Sequence, residues 1–374
     1  MKYIWERENW SDFKYDEAFL LEPLSRLRVL QGKLLGRAAS LDLKLETEAQ
    51  AGVLVEEAIR TAEIEGLKLN RDAVRSSVAV KLGLPKGVGP HDSNIDGLVD
   101  VLLDAVRFHD KPLTLKRLNG WHAALFPSGY SGLRKIKAGR LRGDEPMQVV
   151  SGPLGKEKVH FEAVPRERLD EEMKLFLKRW RLSPAGMDGI LRAAAAHLRF
   201  VTVHPYEDGN GRLARALTDM ALAQDEKLRV RFYSVSSQIM NMRDEYYEVL
   251  ESVQRCRADV TEWFLWFLKC VSLSIRHSQD IMSHVFARVD FWNQHLHTGL
   301  NERQKKVLTH ILEAGPGIFT GGLTTRKYVS IAKTSRATAF REISDMLDKK
   351  LLRQLSGKGR NVQYDLIWPK DEPL

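Results

Sequence analysis

Apolar residues spaced three and four apart are the feature that most restricts how this chain can fold. The first such series is Leu20, Leu21, Leu24, Leu27, Leu30 and Leu34. A second runs from Leu43 to Ile64 and is followed by Gly66, a residue that commonly ends helices. This spacing places apolar side chains on one face of an α-helix. It predicts three or four helices between Tyr15 and Leu82 and a mainly α fold.

Helical periodicity resumes after a linker. The segment Gly83 to Ser93 (GLPKGVGPHDS) is rich in Gly, Pro, Asp and Ser, and Asp92 or Ser93 can cap the next helix. The predicted helices beyond the linker are Ile95–Phe108, Leu115–Leu125, Pro165–Trp180, Ala185–Val203, Arg212–Gln224, Ser236–Arg255 and Val260–His277.

One stretch, Gly139 to Pro165, departs from the helical pattern. It contains two short β-branched runs, QVV and VHF, on either side of a turn that contains Gly and Pro. This arrangement predicts a β-hairpin. A lone hairpin in a helical domain often serves as a flap or binding edge.

The C-terminal part of the chain predicts a third unit. Its order is helix (Asn301–Leu312), helix (Thr324–Ile331), helix (Ser335–Leu347) and a polar hairpin, which is the order of a winged helix-turn-helix. Thr320 to Asn361 holds ten basic and three acidic residues, a surplus of seven positive charges. Such a surplus fits a DNA-binding module, and it fits equally a solvated basic helix face or a surface for docking or dimerisation.

Length and composition exclude several classes of protein. With 374 residues, the chain exceeds one ordinary domain, and we expect domains at 1–85, 93–280 and 300–374. Its only cysteines, Cys256 and Cys270, favour neither a disulfide scaffold nor a zinc site. The N-terminus lacks the pattern of an export signal, and no apolar run is long enough for a membrane span. We therefore expect a cytoplasmic protein that is not inserted in a membrane.

The segment HPYEDGNGRLAR, from His204 to Arg215, lies between two predicted helices and combines several chemical roles. Gly209, Asn210 and Gly211 precede a helix start, where backbone N–H groups and the helix dipole favour an anion such as phosphate. Arg212 and Arg215 are three residues apart on one helix face and can hold the same phosphate chain. These features predict a polyphosphate ligand.

Two further residues of this segment suggest chemistry on that ligand. Asp208 offers a carboxylate beside the anion site, as a Mg²⁺ ion shared with phosphates requires. His204 is a candidate base, because a neutral imidazole can take a proton from a hydroxyl near pH 7. The cradle is not a P-loop, since the chain contains no GxxxxGK[ST].

HPYEDGNGRLAR resembles the signature of the Fic family, with Tyr206 replacing the usual Phe. Members are mostly helical, and most transfer AMP from ATP to a Ser, Thr or Tyr hydroxyl of a protein and release pyrophosphate. The resemblance implies that His204 is the base, Asp208 the Mg²⁺ ligand, Gly209 to Gly211 the anion hole, and Arg212 and Arg215 the phosphate clamps.

Other segments are similar to parts of the same family. The predicted hairpin carries Val149, Val150, Ser151 and Gly152 where the family has a flap that aligns the target by strand addition. Tyr246 and Tyr247 stand where the family has nucleotide-contacting tyrosines, with Gln254 further along the helix. Aromatic residues at helical spacing are as often simply part of the core.

IRTAEIEGLK in the first block is similar to the family's inhibitory pattern. Thr61 and Glu65 are four residues apart on one helix face, and Gly66 follows. The resemblance implies that Glu65 pairs with Arg215 and fills the space of the ATP γ-phosphate, so that ATP binds in an unreactive pose. The start of the chain, YIWERENWSDFKYD, resembles a domain of unknown function found ahead of bacterial Fic cores.

Taken together, the sequence predicts a protein AMP-transferase that is autoinhibited by Glu65 and uses ATP and Mg²⁺. Removal of AMP, with Glu65 positioning a water, and transfer of another phosphate-linked group on the same site both stay open. An alternative of another class is a DNA-binding regulator that acts through the C-terminal unit. The target protein and homodimer formation also stay open.

Overall fold

The computed structural model describes residues 2–85, 89–151, 158–182, 186–255, 259–314, 322–355 and 362–369. Two compact units form, one of residues 1–38 and 46–278 and one of residues 39–45 and 279–374. The division into three domains stays a prediction. None of the helices in the described residues combines the length and apolar content needed to cross a membrane.

The first unit is mainly helical, as predicted. Its helices are α1 (Glu17–Ala38), α2 (Leu43–Ile64), α3 (Arg71–Leu82), α4 (Ser93–Arg107), α5 (Leu115–Leu125), α6 (Arg166–Arg181), α7 (Gly189–Val203), α8 (Asn210–Glu226), α9 (Val235–Asn241), α10 (Arg243–Gln254) and the first part of α11 (Thr261–Gln294). Local capping explains several boundaries. Asp92, for instance, accepts hydrogen bonds from the backbone N–H groups of Asn94 and Ile95 at the start of α4, as the sequence predicts.

Two predicted helices differ from the structure. The single helix expected at Ser236–Arg255 is two helices, α9 and α10, which are interrupted at Met242. The helix expected to end at His277 continues to Gln294, because no Gly or Pro occurs between those residues to stop it.

Small antiparallel sheets accompany the helices of the first unit. β1 (Tyr130–Ser131) pairs with β2 (Arg134–Lys135), and β3 (Gln148–Ser151) pairs with β4 (Lys158–Glu162). The second pair is the predicted hairpin, and its register shifts between Val149 and Val150. Gly152, which the sequence assigns to the flap, lies outside the described residues.

In the part of the second unit that the structure describes, three helices and a two-stranded sheet follow the end of α11. They are α12 (Glu302–Ala314), α13 (Thr325–Ala332), α14 (Arg336–Asp348), β5 (Leu352–Gln354) and β6 (Tyr364–Leu366). This is the predicted order of elements, although the turn expected at SGKGRN lies outside the described residues. A buried cluster that includes Val307, Leu308, Tyr328, Ile343 and Leu366 forms the core of this unit.

Candidate functional site

A short loop joins α7 to α8 and carries most of the residues predicted to act. α7 is followed directly by His204, which has a left-handed backbone with φ of 51°, and α8 begins after Gly209, with φ of 78°. Residues other than glycine seldom adopt positive φ, and when they do it is often at functional sites. Gly209 is also required for space, because a Cβ there would stand 2.9 Å from the Phe126 ring.

The loop is closed by Asn210 and Tyr206. The Tyr206 N–H donates to Asn210 Oδ1 at 2.9 Å, and Asn210 Nδ2 donates to the Tyr206 carbonyl at 2.8 Å. Tyr206 is fully buried, and its hydroxyl donates to Asn119 Oδ1 at 2.8 Å. The Asn210 side chain therefore shapes the loop. The Gly209 N–H donates to Asp208 Oδ1, which leaves the backbone N–H groups of Asn210 and Gly211 as the part able to receive an anion.

His204 is held as a proton acceptor. Its Nδ1 lies 3.1 Å from the Val201 carbonyl oxygen. Because a carbonyl only accepts, Nδ1 carries the proton and Nε2 presents a lone pair. Burial lowers the pKa of His204, and the Arg142 guanidinium lowers it further. The Val201 hydrogen bond and the carboxylates of Glu65 and Asp208 act to raise this pKa, but the net shift is downward. The imidazole is therefore neutral at neutral pH.

Arg142 is a positioning residue that sequence reasoning missed. Its side chain is buried, its Nε donates to the His204 carbonyl at 2.9 Å, and its Nη2 donates to the Val164 carbonyl. Its backbone N–H donates to the Pro205 carbonyl at 3.0 Å. Arg142 thus fixes the backbone that carries the candidate base.

His122 is a second residue that the sequence did not reveal. It is fully buried and stacks on Tyr206, with ring centroids 4.2 Å apart. The Gly139 N–H donates to its Nδ1 at 2.8 Å, so Nε2 carries the proton and donates to the Asp208 carbonyl at 3.1 Å. Burial lowers the pKa of His122 to about 4. No local motif marks this histidine, because its partners lie 17 and 86 residues away.

We expect the folded protein to lose stability between pH 6.5 and pH 4. Burial also lowers the pKa of His197 to about 3, so His122 and His197 stay neutral in the folded chain while the unfolded chain binds protons. Each histidine should reduce the free energy of unfolding by roughly 1.4 kcal/mol per pH unit over this range. Urea unfolding followed by circular dichroism at pH 7.0, 5.5 and 4.5 measures the slope. His122→Gln should remove one of the two histidines and so lower the slope of unfolding free energy against pH by about 1.4 kcal/mol per pH unit. A free energy of unfolding that does not change with pH in the native chain would contradict this prediction.

Asp208 presents a carboxylate at the edge of the loop. Its Oδ1 accepts from the Gly209 N–H at 2.5 Å, and its Oδ2 accepts from the Ser131 hydroxyl. Its side chain is 42% exposed and lies 4.0 Å from Arg212 Nη2. The described residues contain no cluster of three or more His, Cys, Asp or Glu side chains that could hold a metal. One exposed carboxylate fits an ion such as Mg²⁺ that takes most of its ligands from phosphate and water.

The two arginines of the loop segment are buried, and each has an unused donor. Arg212 is 8% exposed and lies over the Phe126 ring, and its Nε has no hydrogen-bond partner in the described residues. Arg215 is 2% exposed, and its Nη1 likewise lacks a partner in the described part of the chain. Buried donors without partners are costly unless a ligand engages them. Both arginines therefore fit an anion site at the start of α8.

Thr61 of α2 and Glu65, the residue directly after the end of α2, contact Arg215. Thr61 Oγ1 accepts from Arg215 Nε at 2.6 Å, and the Thr61 carbonyl accepts from Nη2 at 2.8 Å. Glu65 Oε1 accepts from the same Nη2 at 2.7 Å. Burial acts to lower the pKa of Arg215, but the Glu65 carboxylate together with Tyr246 and Tyr247 outweighs this effect, and the pKa is raised.

The Glu65 carboxylate lies at the N-terminus of α8. A Cβ at position 211 would overlap Glu65 Oε1 and stand 3.1 Å from Arg215 Nη1, so only glycine leaves room for the carboxylate. α2 ends at Ile64, directly before Glu65, and the chain then turns with Gly66 at φ of 79° and the Leu67 N–H donating to the Ala62 carbonyl. A carboxylate of this chain therefore occupies the place where the helix N-terminus favours an anion.

Of the three residues predicted on α10, Tyr247 forms a hydrogen bond with the end of α2. Its hydroxyl lies 3.5 Å from the Ile64 carbonyl oxygen, to which Arg243 Nε donates at 3.0 Å. Tyr246 is 2% exposed and hydrogen-bonds His197 at 2.9 Å. Gln254 is buried and donates to Thr202 Oγ1 at 3.0 Å. The nucleotide contacts assigned to all three stay predictions.

Comparison with known proteins identifies the central part of the chain. Residues 112–222 match the Fic/DOC family model, and residues 3–84 match that of a domain of unknown function, DUF4172. "Protein adenylyltransferase Fic" of Nematostella vectensis is 26% identical over 217 residues, which are 57% of this chain and 45% of that protein. The chain thus spans less than half the length of that relative.

Two solved structures share the fold. A Fic family protein from Desulfovibrio desulfuricans has a TM-score of 0.56 at 17% identity, covering 94% of this chain and 97% of its own. A Fic domain containing signaling protein from Bacteroides thetaiotaomicron has a TM-score of 0.53 at 16% identity, covering 69% of this chain and 96% of its own. The chain therefore has the fold of Fic proteins and carries a domain of the Fic/DOC family at residues 112–222.

Proposed function

We propose that this chain transfers AMP from ATP to a Ser, Thr or Tyr hydroxyl of a protein and that Glu65 restrains the reaction. The observation that carries the proposal is the Glu65 carboxylate, which lies against Gly211 and accepts from Arg215. It marks an anion site at the N-terminus of α8 in which two buried arginines have spare donors. The family relationship supports a transferase that uses ATP.

The reaction is an in-line displacement at the α-phosphorus of ATP. The target hydroxyl oxygen forms the new bond to phosphorus, the bond between the α-phosphorus and the bridging oxygen breaks, and pyrophosphate leaves. The Nε2 lone pair of His204 takes the hydroxyl proton, because Nδ1 is committed to the Val201 carbonyl. Arg212, Arg215 and the backbone N–H groups of Asn210 and Gly211 hold the phosphates, so catalysis depends on positioning and charge neutralisation.

Asp208 would hold Mg²⁺, which supplies positive charge to the phosphates when bound. Its exposed carboxylate and its place beside the start of α8 support this role. The hairpin β3–β4 would align the target chain, since a two-stranded sheet has open edges to which an extended segment can add.

Glu65 restrains the reaction because its carboxylate and the γ-phosphate require the same space and the same Arg215 donors. Thr61 supports this restraint because its hydroxyl accepts a hydrogen bond from Arg215 Nε and so orients the guanidinium. ATP then binds with its α-phosphate out of line with the incoming hydroxyl. A neighbouring function fits the same residues: with Glu65 in place, its carboxylate can orient a water, and the protein would remove AMP instead.

The test uses Glu65→Ala with Mg²⁺ and ATP labelled at either the α- or the γ-phosphate. Label should enter protein only from the α-position, with a mass gain of one AMP by intact-mass analysis. Label from the γ-position would indicate phosphoryl transfer instead and contradict the proposal. Adding native chain to the washed, labelled product distinguishes AMP removal, which would release the label.

A further inference from the structure

Helix α14 of the second unit presents a face that packs against nothing in the described residues. Its buried side, with Ala339, Ile343 and Met346, joins the core of this unit. The opposite side carries exposed residues at helical spacing: Arg336, Ala337, Phe340 and Arg341. Phe340 is 63% exposed and lies on this face beside Arg341 and four residues after Arg336.

The orientation of α14 is fixed by a buried carboxylate. Glu342 accepts hydrogen bonds from the Tyr328 hydroxyl of α13 at 2.6 Å and from Asn301 Nδ2 at 2.9 Å. Arg303 of α12 also pairs with Glu342. Two segments, α13 and the start of α12, are therefore bound to one point on α14, so its exposed face is held rigidly.

α13 and α14 are joined by a turn of three residues. α13 ends at Lys333 in the left-handed conformation, and the Ser335 side chain caps α14 by accepting from the Thr338 N–H. Two helices joined by such a turn, the second with an exposed face, have the arrangement of a helix-turn-helix.

The charges around this face are mostly positive and unpaired. Arg336 and Arg341 on this face, and Lys333 in the turn before it, are exposed and make no ion pair in the described residues. Of the acidic residues of α14, Glu342 and Asp345 are bound to Arg303 and Lys349, and Asp348 stands at the far end. The surface near the start of α14 is therefore complementary to a polyanion.

We propose that the exposed face of α14 binds in the major groove of duplex DNA. The groove admits an α-helix, and Arg336 and Arg341 reach phosphates and guanine edges from its two sides. Phe340 and Ala337 contact thymine methyl groups, which explains an exposed aromatic ring between cations. The proposal rests on the second unit alone and does not depend on AMP transfer.

The test measures binding of the full chain to a fluorescein-labelled duplex by fluorescence polarisation between 50 and 200 mM salt. The duplex is obtained by repeated selection from a random pool. Replacing both Arg336 and Arg341 with glutamine should reduce the slope of log Kd against log salt by about two. Phe340→Ala should keep the slope but weaken binding to the selected duplex by about 5- to 100-fold. Lys116→Gln with Lys174→Gln, on exposed positions of α5 and α6, removes equal charge elsewhere and should change neither quantity.

Three results would overturn the proposal. One is tighter binding to single-stranded DNA or to transfer RNA than to the duplex. Another is a selection that enriches no sequence, since non-specific attraction does not require Phe340. The third is an equal loss in the lysine control. Circular dichroism spectra that match the native chain would show that the variants are folded.

Discussion

Replacing Glu65 with alanine is expected to raise the rate of AMP transfer by about 100-fold. A displacement of the reacting groups by about 1 Å lowers a rate by about this factor, and removing Glu65 should reverse such a displacement. In the native chain, Glu65 Oε1 holds Arg215 Nη2 at 2.7 Å and lies against Gly211 at the start of α8. Without this carboxylate, Arg215 keeps its bonds to Thr61 and gains free donors for phosphate. The rate is measured as incorporation of α-labelled ATP into the chain over time.

Two further variants separate the causes of this increase. Glu65→Gln keeps the volume of the side chain but removes its charge, so we expect an intermediate rate. Glu63→Ala is the matched control, because Glu63 lies at the end of α2, two residues before Glu65, and pairs with Arg60 at 2.7 Å instead of with Arg215. An equal increase in Glu63→Ala would indicate that loosening α2, and not release of Arg215, activates the protein.

The motif between α7 and α8 was predictable because its parts are contiguous. Glycine before a helix start and arginines three residues apart imply an anion site from local rules alone. The structure adds that Glu65, separated from Arg215 by 150 residues, occupies this place. The sequence indicated that pair only through a short pattern shared with a family, since no rule of spacing connects α2 with α8.

The supporting residues were not predictable from sequence. Arg142 acts through the His204 carbonyl, 62 positions away, and Asn119 through the Tyr206 hydroxyl, 87 positions away. A single buried arginine or histidine has no characteristic neighbours in sequence, because tertiary packing creates its role. The break between α9 and α10 was missed for a related reason, since Met242 is neither glycine nor proline and the local sequence continues to favour a helix.

In the Glu65→Ala background, His204→Ala is expected to lower AMP transfer by about 1,000-fold, within the range for loss of a general base. ATP should still bind, because the backbone of residues 209–211 and both arginines are unchanged. Transfer is followed by α-label incorporation and ATP binding by thermal shift. His91→Ala removes an exposed histidine and should leave both unchanged. A His204→Ala variant that transfers AMP at the parent rate would exclude His204 as the base.

The pH dependence of Glu65→Ala distinguishes a base from a residue that only shapes the loop. Burial and Arg142 lower the pKa of His204, whereas Glu65 acts to raise it. Removing Glu65 should therefore lower this pKa further, so the rate should be level at neutral pH and fall only below the ordinary histidine value of about 6.5. If His204 merely positioned the loop, the rate would instead follow unfolding, and circular dichroism at each pH separates the two. A rate of AMP transfer that falls at a higher pH than the circular dichroism signal is therefore the result expected if Nε2 accepts the proton.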